Sequence, residues 1–176
     1  MYLKSKRIAV LGLLLALAVV MIILSGVIEM STIFFLAAAS FCVGIAVREY
    51  GIRMGAGFFF ASVILGFLLA PQKLYLITYS MMALYILLSE LLWIWLYKKS
   101  KFKDPVQAFR FLKYIVFNII YVPTVITAPR LVYEGDIDTW IMVAIIVGGQ
   151  IALFLFEKAY CYFQSQVWGK FRKNLD

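Results

Sequence analysis

The chain has no histidine anywhere in its 176 residues. Histidine-ligated metals and histidine acid–base catalysis are therefore excluded. Cysteine is nearly absent as well: Cys42 and Cys161 stand alone, without a Cys-x-x-Cys pair. The topology derived below places Cys42 inside the bilayer and Cys161 at the cytoplasmic side, so no disulfide is expected. There is no phosphate-cradling glycine–lysine loop, no HExxH and no GxSxG. Nor is there a paired-aspartate motif of lipid headgroup transferases. Nothing positive supports an enzyme, and no cofactor or metal site is expected. No soluble domain, linker or low-complexity segment can be delimited.

What fills the space is apolar. Hydrophobic residues make up 65% of the sequence, against about 45–50% in a water-soluble domain. That surplus is what lipid-facing surface requires, and the class it indicates is an all-α integral membrane protein. The net charge of +8 does not point to nucleic acid. The basic residues stand in short runs beside apolar segments, the pattern of topology signals.

Six spans are predicted, at about 8–24, 31–47, 55–70, 74–97, 111–127 and 139–159, packed as one compact bundle and a single domain. The first begins like a signal peptide, with Lys4, Lys6 and Arg7 ahead of Ile8–Leu24. It is long for an h-region and lacks a small-residue cleavage site, so it is read as a retained span. Pro71 closes the third span and Pro129 the fifth. Fifteen of the seventeen basic residues fall on one side of this layout. Only Lys73 and Arg130 fall on the other, with Glu29, Glu134, Asp136 and Asp138. This bias places both termini in the cytoplasm and the protein in the plasma membrane. An odd number of spans would mix the two groups.

Between spans four and five, Asp104, Pro105 and Gln107 read as N-cap, N1 and N3 of a helix running into span five. Arg110 and Lys113, three apart, are expected to snorkel to the headgroups. The tail mixes Tyr160, Tyr162, Phe163, Trp168 and Phe171 with Lys170, Arg172 and Lys173, which reads as a short interfacial helix.

The fourth span, Leu74–Tyr97, holds a single ionisable carboxyl, Glu90. A carboxylate in a span costs roughly 2.5–3.5 kcal/mol on insertion scales, so it needs a partner or a purpose. It lies about 10 Å from the cytoplasmic end of its helix, within reach of Arg48 or Arg53, which flank the turn Glu49–Ile52. A structural ion pair is the first reading, contact with a partner protein the second, a proton or substrate site the third. Tyr79, Met82, Ala83, Ile86, Trp93 and Tyr97 share the face of Glu90 at helical spacing.

Asn118 and Gln150 lie near mid-bilayer and can bond to each other across neighbouring helices. Ser80, Ser89 and Thr124 add hydroxyls. Tyr75, Tyr79, Tyr121, Tyr133 and Trp140 gather at the outer ends of spans four to six. They form an interface belt or an outward pocket for a small planar or polar solute. The candidate substrate residues are thus Tyr75, Tyr79, Tyr121, Asn118, Gln150 and Trp140. Small residues at four-residue spacing mark packing faces. They are Gly12/Ala16, Ser40/Gly44, Gly57/Ala61, Ser62/Gly66/Ala70 and Ala144/Gly148/Ala152.

The opening KRIAVLGLLLALAVVMIIL is similar to the first helix of the substrate-binding S components of energy-coupling factor (ECF) transporters. These are six-helix membrane proteins of about this length. The residue-level match covers the first span only, with Gly12 in place of the first alanine of the family's Ala-x-x-x-Ala pair. The resemblance implies that Gly12 and Ala16 dock on a transmembrane coupling subunit that works with ATPases, and that the protein captures a small micronutrient. Spans two to four, through AVREYGIRMGAGFFFASVILGFLLAP, resemble small Firmicute membrane proteins of the same layout. The rod-shape-determining small membrane protein of the elongation machinery shares that architecture. A non-catalytic scaffold of an envelope or cell-shape complex is therefore the alternative, and a stand-alone transporter using Glu90 as a proton-linked acid comes third.

Overall fold

The computed structural model describes residues 2–99, 105–127 and 138–170. Asp104, Pro129, Arg130, Tyr133, Glu134, Asp136, Lys101, Lys103, Phe171, Arg172 and Lys173 lie outside the described residues. So do the side chains of Lys4, Lys6, Glu29, Tyr97, Lys98 and Lys99. The described elements are all helical: α1 (Tyr2–Val27), α2 (Thr32–Tyr50), α3 (Ile52–Leu69), α4 (Lys73–Lys99), α5 (Pro105–Thr127) and α6 (Thr139–Tyr162). A 3-10 turn, Glu29–Ser31, precedes α2, and a π-helical turn, Phe163–Trp168, follows α6. Six of these helices are long and apolar enough to cross a membrane. The predicted spans match them, except that Ser31 and Ala70 lie one residue outside α2 and α3, and most ends extend beyond the predicted bounds. α2 and α3, of 19 and 18 residues, reach about 27–29 Å, close to the lower limit for the hydrocarbon core.

The contacts cluster into two compact units, Met1–Phe109 and Arg110–Asp176, so the division falls within α5. The single domain of the sequence reading is thus described as two units, each by itself.

In the first unit α2 is the central element, packed against α1, α3 and α4. Ala39 to Val47 are buried without interruption, as befits a helix that is apolar on every side. α1 turns Leu14, Ala18, Ile22 and Ser25 inward, at four-, four- and three-residue steps. The connections are short and each has a local cause. Thr32 donates its hydroxyl hydrogen to the Ser25 carbonyl at 2.9 Å across the 3-10 turn. A single residue, Gly51, separates α2 from α3. Its φ of +86° is one that a side chain resists. α3 ends where Ala70 becomes extended, as a residue ahead of proline must. Lys73 then donates to the carbonyls of Phe67 and Ala70, capping the negative end of α3.

Close backbone approach sets the helix spacing. A Cβ on Gly55 would stand 2.9 Å from Val47 Cα. On Gly66 it would stand 2.7 Å from Leu76 Cδ1, and on Gly26 2.8 Å from Pro71 Cγ. Ser40, Gly44, Ser62, Gly66 and Ala70 are all buried. The Gly57 position, by contrast, has nothing within 4 Å. The packing register of α3 is therefore Gly55, Phe59, Ser62, Gly66, and the Gly57/Ala61 stripe is not part of it.

In the second unit, the tail differs from the sequence reading. No break separates an interfacial helix from α6. The chain continues through the π-helical turn to Trp168, because neither proline nor glycine occurs between Gly149 and Gly169. Gln164, buried, reaches back to the Tyr160 hydroxyl at 3.2 Å. α5 carries Pro123 in its interior, which removes one backbone donor.

Gly55→Ala is expected to lower the melting temperature in detergent, with a penalty of about 1–3 kcal/mol for overpacking. Gly57→Ala, two residues away, should leave it unchanged. Equal effects at the two positions would refute the close approach of α2 and α3.

Candidate functional site

In the first unit, α2 and α4 are joined by a charge pair. Arg48, in the last turn of α2, donates Nε–H to Glu90 Oε1 at 2.8 Å, and its Nη2 lies 2.6 Å from the same oxygen. The Glu90 side chain is only 6% exposed while that of Arg48 is 46% exposed. The buried member is the acid, and the arginine reaches in from a helix end, where its charge also complements the α2 dipole. Arg53, the other arginine of the candidate charge pair, is exposed at the start of α3. The α4 face of Glu90 is buried at Leu76, Tyr79, Ala83 and Ile86. It ends there: Trp93 is 38% exposed and meets Phe109 edge-on at 5.0 Å.

Tyr79 is wholly buried, and its hydroxyl shares a 2.6 Å hydrogen bond with the Ser62 hydroxyl on α3. Ser62 also donates to the Phe59 carbonyl at 2.8 Å, so Tyr79 donates to Ser62. The phenol is thereby committed to a helix–helix contact. Tyr75, one turn earlier, is half-buried.

In the second unit, polar side chains form a seam between α5 and α6. Lys113 Nζ stands 3.0 Å from Glu157 Oε1, with side-chain exposures of 14% and 20%. Next, Gln150 Nε2 donates to Asn118 Oδ1 at 2.8 Å, while Asn118 Nδ2 donates to the Tyr114 carbonyl. Finally the Tyr121 hydroxyl donates to the Ile145 carbonyl at 2.8 Å. The Tyr121 ring stacks on Phe117 at 4.9 Å and occupies the space a Gly149 side chain would need. Ser80 and Thr124 bond back to their own helices. Three rungs thus fix the register of an antiparallel pair.

Of the six candidate substrate residues, Tyr75 and Tyr79 belong to the first unit. Asn118, Gln150 and Tyr121 share the seam of the second. Trp140, at the start of α6, is 81% exposed. Gly12 and Ala16 are both exposed on α1, and nothing lies within 4 Å of a Cβ built on Gly12. Among the described residues, no group of three or more Cys, Asp or Glu gathers that could hold a metal ion.

Three participants escaped the sequence reading. Lys113 is an ion-pair partner rather than a snorkelling residue. Its partner Glu157 had a signal, since it stands at the end of span six that faces the start of span five. The packing glycine of α6 is Gly149, whereas the Ala144/Gly148/Ala152 stripe is exposed, because the Tyr121 ring selects the neighbouring register.

No protein-family model, curated protein or solved structure matches this chain.

Glu90→Gln keeps the shape but leaves the Arg48 guanidinium without its counter-charge. It is expected to lower stability by about 1 kcal/mol, because the Arg48 charge left behind is half in solvent rather than buried. Arg48→Met with Glu90→Met should recover most of that loss. A double variant no more stable than Glu90→Gln would show that the pair does more than hold α2 to α4. In the second unit, Gly149→Ala should displace Tyr121 and destabilise the protein, while Gly148→Ala should be silent. Thermal unfolding by tryptophan fluorescence checks both comparisons.

Proposed function

We propose that the protein is an S-component-like, non-catalytic subunit of the plasma membrane with both termini in the cytoplasm. In this reading it captures a small micronutrient from outside and works with a transmembrane coupling subunit and ATPases. The observation that carries the reading is the face of α1 bearing Gly12 and Ala16. Both residues are exposed, while the opposite face, Leu14, Ala18, Ile22 and Ser25, is taken up by the first unit. Gly12 and Ala16 lie on that outward face beside the exposed Leu13, Leu17 and Val20, and the small pair offers a second membrane helix a place for close approach. The same two residues carry the resemblance to S components.

A scaffold of an envelope or cell-shape complex is the second reading. It is favoured by the candidate solute residues that already bond within the protein, Tyr79 with Ser62 and Asn118 with Gln150. Buried polar pairs of this kind are what a filled bundle without a ligand requires.

The two readings part on a gentle-detergent purification from the native host followed by mass spectrometry. The first expects a coupling subunit and ATPases with the wild-type chain. It expects their loss with Gly12→Leu plus Ala16→Leu, at unchanged melting temperature because the Gly12 position is open. Absence of those partners from the wild type, or equal recovery with the double variant, overturns it. A ligand-free protein that copurifies with envelope proteins supports the scaffold.

A further inference from the structure

The two ends of the first unit differ in charge. Antiparallel packing brings the start of α1, the α2–α3 turn at Gly51 and the end of α4 to one end. The sequence puts Lys4, Lys6 and Arg7 in the first turns of α1, Arg53 at the start of α3, and Lys98 and Lys99 in the last turn of α4. Arg48 belongs to the same end, but its charge is taken by Glu90. Arg7 and Arg53 are both exposed, and neither forms an ion pair with a described residue. Arg7 is within electrostatic reach of the Tyr50 phenol beside the turn, which ties the charge of α1 to that of the α2–α3 connection. Glu49 is the acid of this turn. At the opposite end of the unit the one basic residue is Lys73, and it is spent on the carbonyls of Phe67 and Ala70.

We infer that this end of the first unit is a docking surface for the phosphate headgroups of anionic phospholipids in the leaflet it faces. The argument is charge complementarity at a place fixed by the fold. Exposed guanidiniums at the ends of membrane-spanning helices sit at headgroup depth, where each favours an anionic surface by about five-fold in affinity. Guanidiniums also match phosphate with two parallel N–H donors. The inference depends on the membrane setting and not on the solute-capture reading, so either can fail alone.

The test uses the full chain in nanodiscs made from an equal mixture of phosphatidylcholine and phosphatidylglycerol. Native mass spectrometry counts the lipids that remain bound after the disc is stripped. Phosphatidylglycerol should be retained in excess over phosphatidylcholine, and high salt should erase the excess. Arg7→Gln with Arg53→Gln should weaken the preference by about 25-fold, two charges at about five-fold each. Arg7→Lys with Arg53→Lys should keep most of it, which separates lost charge from lost folding. Ile8→Ala with Met54→Ala, exposed and uncharged at the same end of the first unit, is the control and should change little. Retention in proportion to the bulk mixture overturns the inference. So does a preference untouched by the Arg7/Arg53 pair, or equal displacement of the lipid by inorganic phosphate or by RNA.

Discussion

Hydrocarbon offers no hydrogen-bond partner, and among the described residues that constraint organises the deep polar side chains, the buried Ser89 hydroxyl excepted. In water an unpaired carboxamide or carboxylate is solvated. In a membrane span it costs several kcal/mol until the protein supplies a partner. Glu90 is the sharpest case. Its carboxylate lies well inside α4, and α2 answers it with Arg48, which enters from a helix end with its own charge half in solvent. The pair thereby avoids burying two full charges, the arrangement in which desolvation exceeds Coulomb attraction. Ser62 with Tyr79, Gln150 with Asn118, and Tyr121 with the Ile145 carbonyl satisfy the same demand at smaller stakes.

A second rule sits on the first. Dispersion between close backbones holds membrane helices together, and polar pairs need helices near enough to reach each other. Gly55 against Val47, and Gly66 against Leu76 and Ile22, bring α3 close to its neighbours. That approach lets the short Ser62 side chain meet a tyrosine from α4. Gly149 does the same in the second unit by admitting the ring of Tyr121, whose hydroxyl then reaches the carbonyl of Ile145. Glycine position and hydrogen-bond geometry are one design in both units.

Much of this was legible in the sequence, and the limits have physical causes. Six apolar segments and the biased basic residues mark the helices, because lipid tolerates no other arrangement of backbone. Glu90 announces its need for a cation by standing alone in an apolar run. Which arginine answers is a matter of helix phase: Arg48 closes α2, whereas Arg53 starts α3 beyond a one-residue turn whose φ redirects the chain. The same limit hides Gly149: counting small residues four apart finds only the exposed Ala144/Gly148/Ala152 stripe, while Gly149 stands between Ile145 and Leu153 and only the partner ring marks it. Lys113 and Glu157 were missed because a basic residue near a helix end reads as snorkelling. The pairing appears only once α5 and α6 are antiparallel neighbours.

The distribution of polar pairs also bears on where a function can reside. Apart from Ser89, the deep polar side chains named above bond within their own unit, which leaves the exposed faces free for association. On α1 that face is apolar, with Gly12 and Ala16 set beside Leu13, Leu17 and Val20. At the α2–α3 turn it is cationic, suited to phosphate. In the two proposals the first surface takes a partner within the bilayer and the second one at its surface, so they do not compete. Glu90, the most reactive-looking residue, is engaged in holding α4 to α2 through Arg48.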